Sequence, residues 1–147
     1  MIPAFQADGT LPPGLYWADW TEIRSRFGGS PHRRRLLAGL RQALEALALA
    51  GCGAAYIDGS FVTSKDAPAD FDACWDARGV EPSLLEPVFL DFTSGRAAQK
   101  RRFMGEFFPA QFAEGVSGKT FLEFFQTDKD TGRQKGIVAI DIKGLFP

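Results

Sequence analysis

Two aspartates one residue apart, Asp70-Phe71-Asp72, follow a glycine-serine pair, Gly59-Ser60, across a nine-residue spacer, Phe61 to Ala69. In an extended chain side chains alternate between faces, so Asp70 and Asp72 project from one face and Phe71 and Ala73 from the other. Carboxylates that close repel unless positive charge lies between them, and a hard divalent cation with oxygen ligands relieves the repulsion. The Gly-Ser pair ends an apolar run and offers backbone N–H groups and a hydroxyl, with no bulky side chain to keep a phosphate away. A carboxylate-held cation beside a phosphate cradle is the equipment of phosphoryl or nucleotidyl transfer. The plain alternative is a β-hairpin whose long loop contains Pro68 and whose two acids face water, and spacing alone does not choose between the two.

At these residues the chain resembles the polymerase-beta-type nucleotidyltransferase superfamily. Its signature is an apolar residue, Gly-Gly or Gly-Ser, a spacer of nine or more residues, then Asp, apolar, Asp or Glu, apolar. Ile57, Gly59-Ser60, the spacer and Asp70-Phe71-Asp72-Ala73 meet it. The resemblance implies that Asp70 and Asp72 bind magnesium (Mg2+), joined by a third acid on the next strand. It also implies that Gly59 and Ser60, with Thr63 and Lys65 of the same loop, contact the phosphates of a nucleoside triphosphate. For the third acid the sequence offers Asp91, in Val88-Phe-Leu-Asp-Phe92, and Asp141, in Ile137-Val-Ala-Ile-Asp-Ile142. Both lie in apolar, strand-like runs where an isolated acid is costly to bury. Asp91 is the better candidate, because only a short connector separates Asp76 from Val88.

The implied activity is that of a minimal nucleotidyltransferase passing a nucleoside monophosphate to a hydroxyl, above all of a protein acceptor such as a toxin-like partner in a toxin–antitoxin pair. Small members of the superfamily often follow Gly-Ser with Arg and Gly, whereas Phe61-Val62-Thr63 stands here. That departure keeps open a non-catalytic binding protein of the same fold, an antitoxin or scaffold.

The elements that must position these residues are legible in part. Ser30-Pro31 opens a helix, with Ser as N-cap and Pro at the first helical position, Leu36, Leu37, Leu40, Leu44 and Leu47 on one face, and Gly51 as its stop. Residues 1–29 read as an extended N-terminal arm leading to a short helix at Asp19 to Phe27, with Trp17 and Trp20 covering the domain's own core. Val88 to Phe92 reads as a third short strand, and Arg96 to Met104 as a basic helix leading into Gly105-Glu-Phe-Phe-Pro109. Phe121 to Gln126 and Gly136 to Ile142 flank a polar segment and read as a C-terminal β-hairpin. The expected fold is therefore α+β, a nucleotidyltransferase-like mixed β-sheet flanked by helices and closed by that hairpin, in a single domain over residues 1–147. Ala113 to Thr120 fits a relaxed phosphate-loop pattern, but Phe121 onward reads as a strand where such a loop needs a helix.

Seventeen basic and eighteen acidic residues give a net charge of −1, which excludes general nucleic-acid binding driven by overall charge. The basic runs Arg33-Arg34-Arg35 and Lys100-Arg101-Arg102 read as solvated faces or local contacts for an anion. Two cysteines and one histidine are too few for a disulfide framework or a zinc cluster. The N-terminus lacks a signal-peptide pattern and no window is apolar enough to span a membrane, so the expected location is cytoplasmic.

Overall fold

The computed structural model describes all 147 residues. In chain order the elements are β1 (Gly14–Ala18), α1 (Trp20–Phe27), α2 (Pro31–Leu49), β2 (Ala54–Asp58), β3 (Phe71–Trp75), α3 (Thr93–Phe103), β4 (Gly105–Pro109), α4 (Phe121–Phe125), β5 (Gly136–Asp141) and α5 (Ile142–Leu145). Short 3-10 turns occupy Ser60–Val62, Pro82–Leu84 and Pro87–Leu90.

Helix α2 forms for the reasons its sequence gives. The Ser30 hydroxyl accepts a hydrogen bond from the Arg33 N–H at 3.1 Å, Pro31 fills the first helical position, and the leucine stripe is buried. The five strands form one mixed sheet in the order β1-β5-β2-β3-β4. The outer pairs, β1 with β5 and β3 with β4, are parallel, while β2 runs antiparallel to both of its neighbours.

Alternation divides the sheet into two unlike faces. Ala55, Ile57, Phe71, Ala73, Phe107, Val138 and Ile140 point to one side and share a core with the leucines of α2 and with Ile23, Phe27 and Phe103. Gly39 lets α2 approach closely there, since a Cβ at this position would run into the backbone carbonyl of Phe103. On the other side Ala54, Tyr56, Cys74, Ile137 and Ala139 meet the short α4, through Phe125 and the partly buried Phe121, together with Ala110 and Phe108. This face is half open: Trp17, edge-on to Tyr56, is 48% exposed. No helix is long and apolar enough to cross a membrane.

The mixed α+β sheet is as expected, and three local expectations are corrected. Val88 to Phe92 is not a strand: Pro87 opens a 3-10 turn, and Phe89 drops into the core against Phe103, ring centroids 5.3 Å apart. Phe121 to Gln126 is a helix rather than half of a C-terminal β-hairpin, because Thr120 and Glu123 form a capping box in which each side chain accepts from the other's backbone N–H. Strand β5 therefore finds its partners at a distance, in β1 and β2. Finally, the N-terminal arm is not merely extended, since Gly14–Ala18 supplies an edge strand. The glycines of the phosphate-loop pattern, Gly115 and Gly118, lie in a turn closed by an Ala113–Thr120 bridge, and the helix that follows has five residues.

Candidate functional site

The register of the sheet sets the geometry of the site. Asp58, the last residue of β2, pairs with Asp72 of β3, and Asp72 pairs with Glu106 of β4. Residues paired across neighbouring strands project to the same side, so the three carboxylates form a row on the half-open face. Asp70 stands just before β3, two residues from Asp72 and so on the same side by alternation. Glu106 was not among the candidates read from the sequence. The crossover through α3 brings it beside Asp72 from a segment more than thirty residues further along the chain. Its signal was the lone acid in Gly105-Glu-Phe-Phe-Pro109.

Neither acid expected to complete the set is in this row. Asp91 follows the turn at Pro87–Leu90, and its exposed carboxylate accepts from the backbone N–H of Thr93 at 3.1 Å and from its hydroxyl at 2.6 Å. Those two bonds hold it below the usual carboxylate range. Asp141 pairs with Ala54, at the opposite end of β2 from Asp58. Four residue steps separate the two ends, about 13 Å of chain at the usual rise.

Each outer acid of the row has its own cation. Lys135 Nζ lies 3.0 Å from Asp58 Oδ2. Arg96 grips Glu106 Oε1 through Nε at 3.0 Å and Nη2 at 2.8 Å, and Lys100 Nζ is 3.3 Å away. The approach of Arg96 is unusual, because Ser94, Gly95 and Arg96 at the start of α3 all have left-handed backbone angles, φ 51°, 65° and 63°. Asp72 has no cation. Burial first, then its hydrogen bond to Glu106 and the charges of Glu106, Asp70 and Asp58, push its carboxyl up to about 8. Burial also works against the charged form of Glu106, but the bond from Asp72 and the contacts with Arg96 and Lys100 outweigh it and hold Glu106 low. At neutral pH the proton of this pair therefore resides on Asp72. Burial likewise raises Asp70, helped by the charge of Glu106, and raises Asp58 in spite of Lys135.

The Gly-Ser turn packs directly onto this row. Gly59 has φ +87°, and a Cβ there would stand 2.9 Å from Asp72 Oδ2, so only glycine allows the turn to sit down on the carboxylate. The Ser60 carbonyl accepts from the Thr63 N–H at 3.2 Å and the Thr63 hydroxyl at 2.6 Å, closing the turn that follows. A cleft of about 540 Å³ opens beside it, lined among others by Asp58, Gly59, Ser60, Thr63, Asp72 and Lys135. Of the expected phosphate contacts, Gly59, Ser60 and Thr63 thus share one cleft wall with Asp72. Lys65 lines a different cavity with Arg26 and Arg33.

Arg33, the first arginine of the basic run, is a buried spacer rather than part of a solvated patch. Its Nη1 donates to the carbonyls of Phe27 (3.2 Å) and Phe61 (2.7 Å), and its Nη2 to those of Thr63 (2.9 Å) and Lys65 (2.6 Å). The second run is engaged in ion pairs, Lys100 with Glu106 and Arg102 with Glu86 at 2.7 Å.

As a donor set for a cation, Asp70, Asp72 and Glu106 offer only carboxylate oxygen, which suits magnesium. A carboxyl raised by the carboxylates facing it also marks the place where a cation relieves the same repulsion. As the side chains stand, no three of them form a group that could hold a metal ion, since Glu106 is turned to Arg96 and Lys100. The residues fit the ion by donor type alone, with Glu106 held in its ion pairs.

No curated protein and no solved structure matches the chain. The model of a family of unknown function, DUF6932, matches residues 3–141, a span that takes in all five strands, the Gly59-Ser60 turn and the row of acids, and the chain belongs to that family.

Proposed function

We propose that the chain is a minimal nucleotidyltransferase that receives a nucleoside triphosphate with magnesium in the cleft beside Gly59-Ser60 and passes the nucleoside monophosphate to a hydroxyl of a protein partner, as in a toxin–antitoxin pair. The observation that carries this reading is the packing of the Gly59 turn on Asp72, with Glu106 directly across on the next strand. The Ser60 hydroxyl and the N–H groups of the turn orient the phosphates, and the absence of a side chain at Gly59 lets them come close. Asp72, Glu106 and Asp70 are the residues that would hold magnesium, which when bound neutralises phosphate charge and supports in-line displacement at the α-phosphorus. The new bond joins the acceptor oxygen to that phosphorus, pyrophosphate departs, and the hydroxyl proton passes to solvent or to a carboxylate of the row.

A second reading, the non-catalytic binding protein, is favoured by a specific observation: Lys135, Arg96 and Lys100 already neutralise the outer acids. The two readings separate in one series of measurements. Magnesium with ATP, GTP, CTP or UTP at millimolar concentration is expected to raise the melting temperature. A ligand at a hundred times its Kd adds about 2.7 kcal/mol, roughly 5–10 °C for a chain of this size. The Asp72→Asn variant is expected to lose that rise. No shift with any of the four nucleotides opposes both uses of the cleft as a nucleotide site. A shift without transfer of labelled monophosphate to a co-purified acceptor selects the binding protein.

A further inference from the structure

The cleft has a second wall, which the acidic motif does not predict. Between α4 and β5 the chain makes a tight strap. The Asp128 N–H donates to the Arg133 carbonyl at 2.7 Å, the Gly132 N–H to the Asp128 carbonyl at 2.8 Å, and the Lys135 N–H to the Gln126 carbonyl at 2.9 Å. The Asp128 carboxylate adds two further bonds inside the strap, from the N–H groups of Asp130 and Thr131. At the base of this strap Lys135 reaches the cleft and meets Asp58, the residue immediately before Gly59.

The other basic side chains near the Gly-Ser turn are committed elsewhere. Arg33 is spent on four carbonyls, Arg96 and Lys100 hold Glu106, and Lys65 lies in another cavity. Two cations line the cleft: Lys129, exposed at the tip of the strap, and Lys135, anchored at its base. Only the second is fixed, and it lines the same cleft as Gly59 and Ser60.

We propose that Lys135 grips the phosphates of the ligand that enters this cleft, and that Asp58 is the positioning residue which holds the ammonium group ready beside Gly59-Ser60. The inference rests on the reading of the cleft as a nucleotide site and names the charge that would face the polyphosphate there. An ammonium between a buried carboxylate and an incoming phosphate keeps a partner in both states, so the ligand does not require Asp58 to be left without compensation. Asp58 is only 8% exposed in its side chain and Lys135 is 32% exposed, so the lysine is the member of the pair that a ligand can reach.

The test uses the full chain, with sodium tripolyphosphate and magnesium-ATP as probes, and reads affinity by calorimetry. Asp58→Asn takes away the charge that fixes the ammonium and is expected to weaken tripolyphosphate binding about threefold. Asp58→Asn/Lys135→Met, which leaves no unpaired buried charge, is expected to weaken it about tenfold or more relative to the wild type. If both variants lose affinity alike, Lys135 is only a tie for the strap and the proposal is overturned. If the wild type binds and the double variant binds equally well, the nucleotide reading stands and the Lys135 assignment alone falls. A wild-type chain that binds neither probe overturns both. Circular dichroism and melting curves confirm that each variant is folded before its affinity is compared.

Discussion

Replacing Asp72 by asparagine is expected to raise the melting temperature, most of all at pH 9, with a chelator present. Asp72 ionises at about 8 in the folded chain against an ordinary 3.8, because it is buried and faces Glu106, Asp70 and Asp58. A raised folded value gives stability that is full below the ordinary value and is lost as pH rises through the folded one. The wild type should therefore lose stability across a window from about pH 4 to about pH 8. Glu106 has the opposite sign: held low, it contributes stability that disappears only as pH falls through its own depressed value, on the acid side of that window. Asp70 and Asp58, both raised, add to the wild-type slope and remain in the variant. Water on the half-open face screens part of the effect, and half of the interval at about 1.4 kcal/mol per unit gives about 3 kcal/mol, or roughly 5–10 °C. The asparagine amide can still donate to Glu106, so the hydrogen bond survives while the charge does not. Melting curves from pH 5 to pH 9 check this, and a wild-type stability that rises through that range would show Asp72 ionised and the pair misassigned.

How much of this site could be read in advance depends on how local each part is. Gly59-Ser60 and Asp70-Phe71-Asp72 were legible because the features that matter, a positive φ and alternation along one strand, are properties of a few consecutive residues. Helix α2 was legible for the same reason, with its cap, its proline and its leucine stripe all in one stretch. Glu106 was not, because what brings it into the candidate site is the register with Asp72, and that register comes from a crossover connection no short window contains. Asp91 looked like the natural third acid because Val88-Phe-Leu-Asp-Phe92 is apolar enough for a strand. Pro87 was the contrary sign, and a short apolar run does not distinguish a strand from a turn buried by its phenylalanine.

The C-terminal region failed differently. Phe121-Leu-Glu-Phe-Phe looks like a strand by composition, but Thr120 and Glu123 stand at the capping-box spacing, and a short helix won over aromatic β-propensity. Strand β1 was hidden in the N-terminal arm, since its partner β5 lies more than a hundred residues away in sequence. These non-local pairings shape the candidate site, because β5 begins one residue after Lys135 and so sets where the second wall of the cleft begins.

Arg33 carries the other large effect. Positive charge in the first turn of a helix opposes the helix dipole, so stability of α2 alone does not explain an arginine there. The explanation lies in its donors: they bind the carbonyls of Phe27, Phe61, Thr63 and Lys65, and the guanidinium also stacks over the Phe61 ring at 5.2 Å. The side chain thus fastens the segment just after Ser60 to the start of α2, and with 7% of its surface exposed it leaves little room for water to replace it. Arg33→Met keeps much of the packing and removes every donor, leaving the buried bonds to Phe27 and Phe61 and the part-buried ones to Thr63 and Lys65 unmade. The expected loss is about 3–5 kcal/mol, on the order of 10 °C. Lysine at this position keeps the charge without the planar fork and should fall between the two. Arg35→Ala, at an exposed position on the same turn, should stay within about 0.5 kcal/mol of the wild type. Because the freed segment runs from Phe61 to Lys65, the Arg33→Met protein should also bind magnesium-ATP more weakly, with affinity read by calorimetry well below its own transition. An Arg33→Met chain as stable as the wild type would mean that water reaches those carbonyls, and that the Gly59-Ser60 turn is held by Thr63 and the sheet alone.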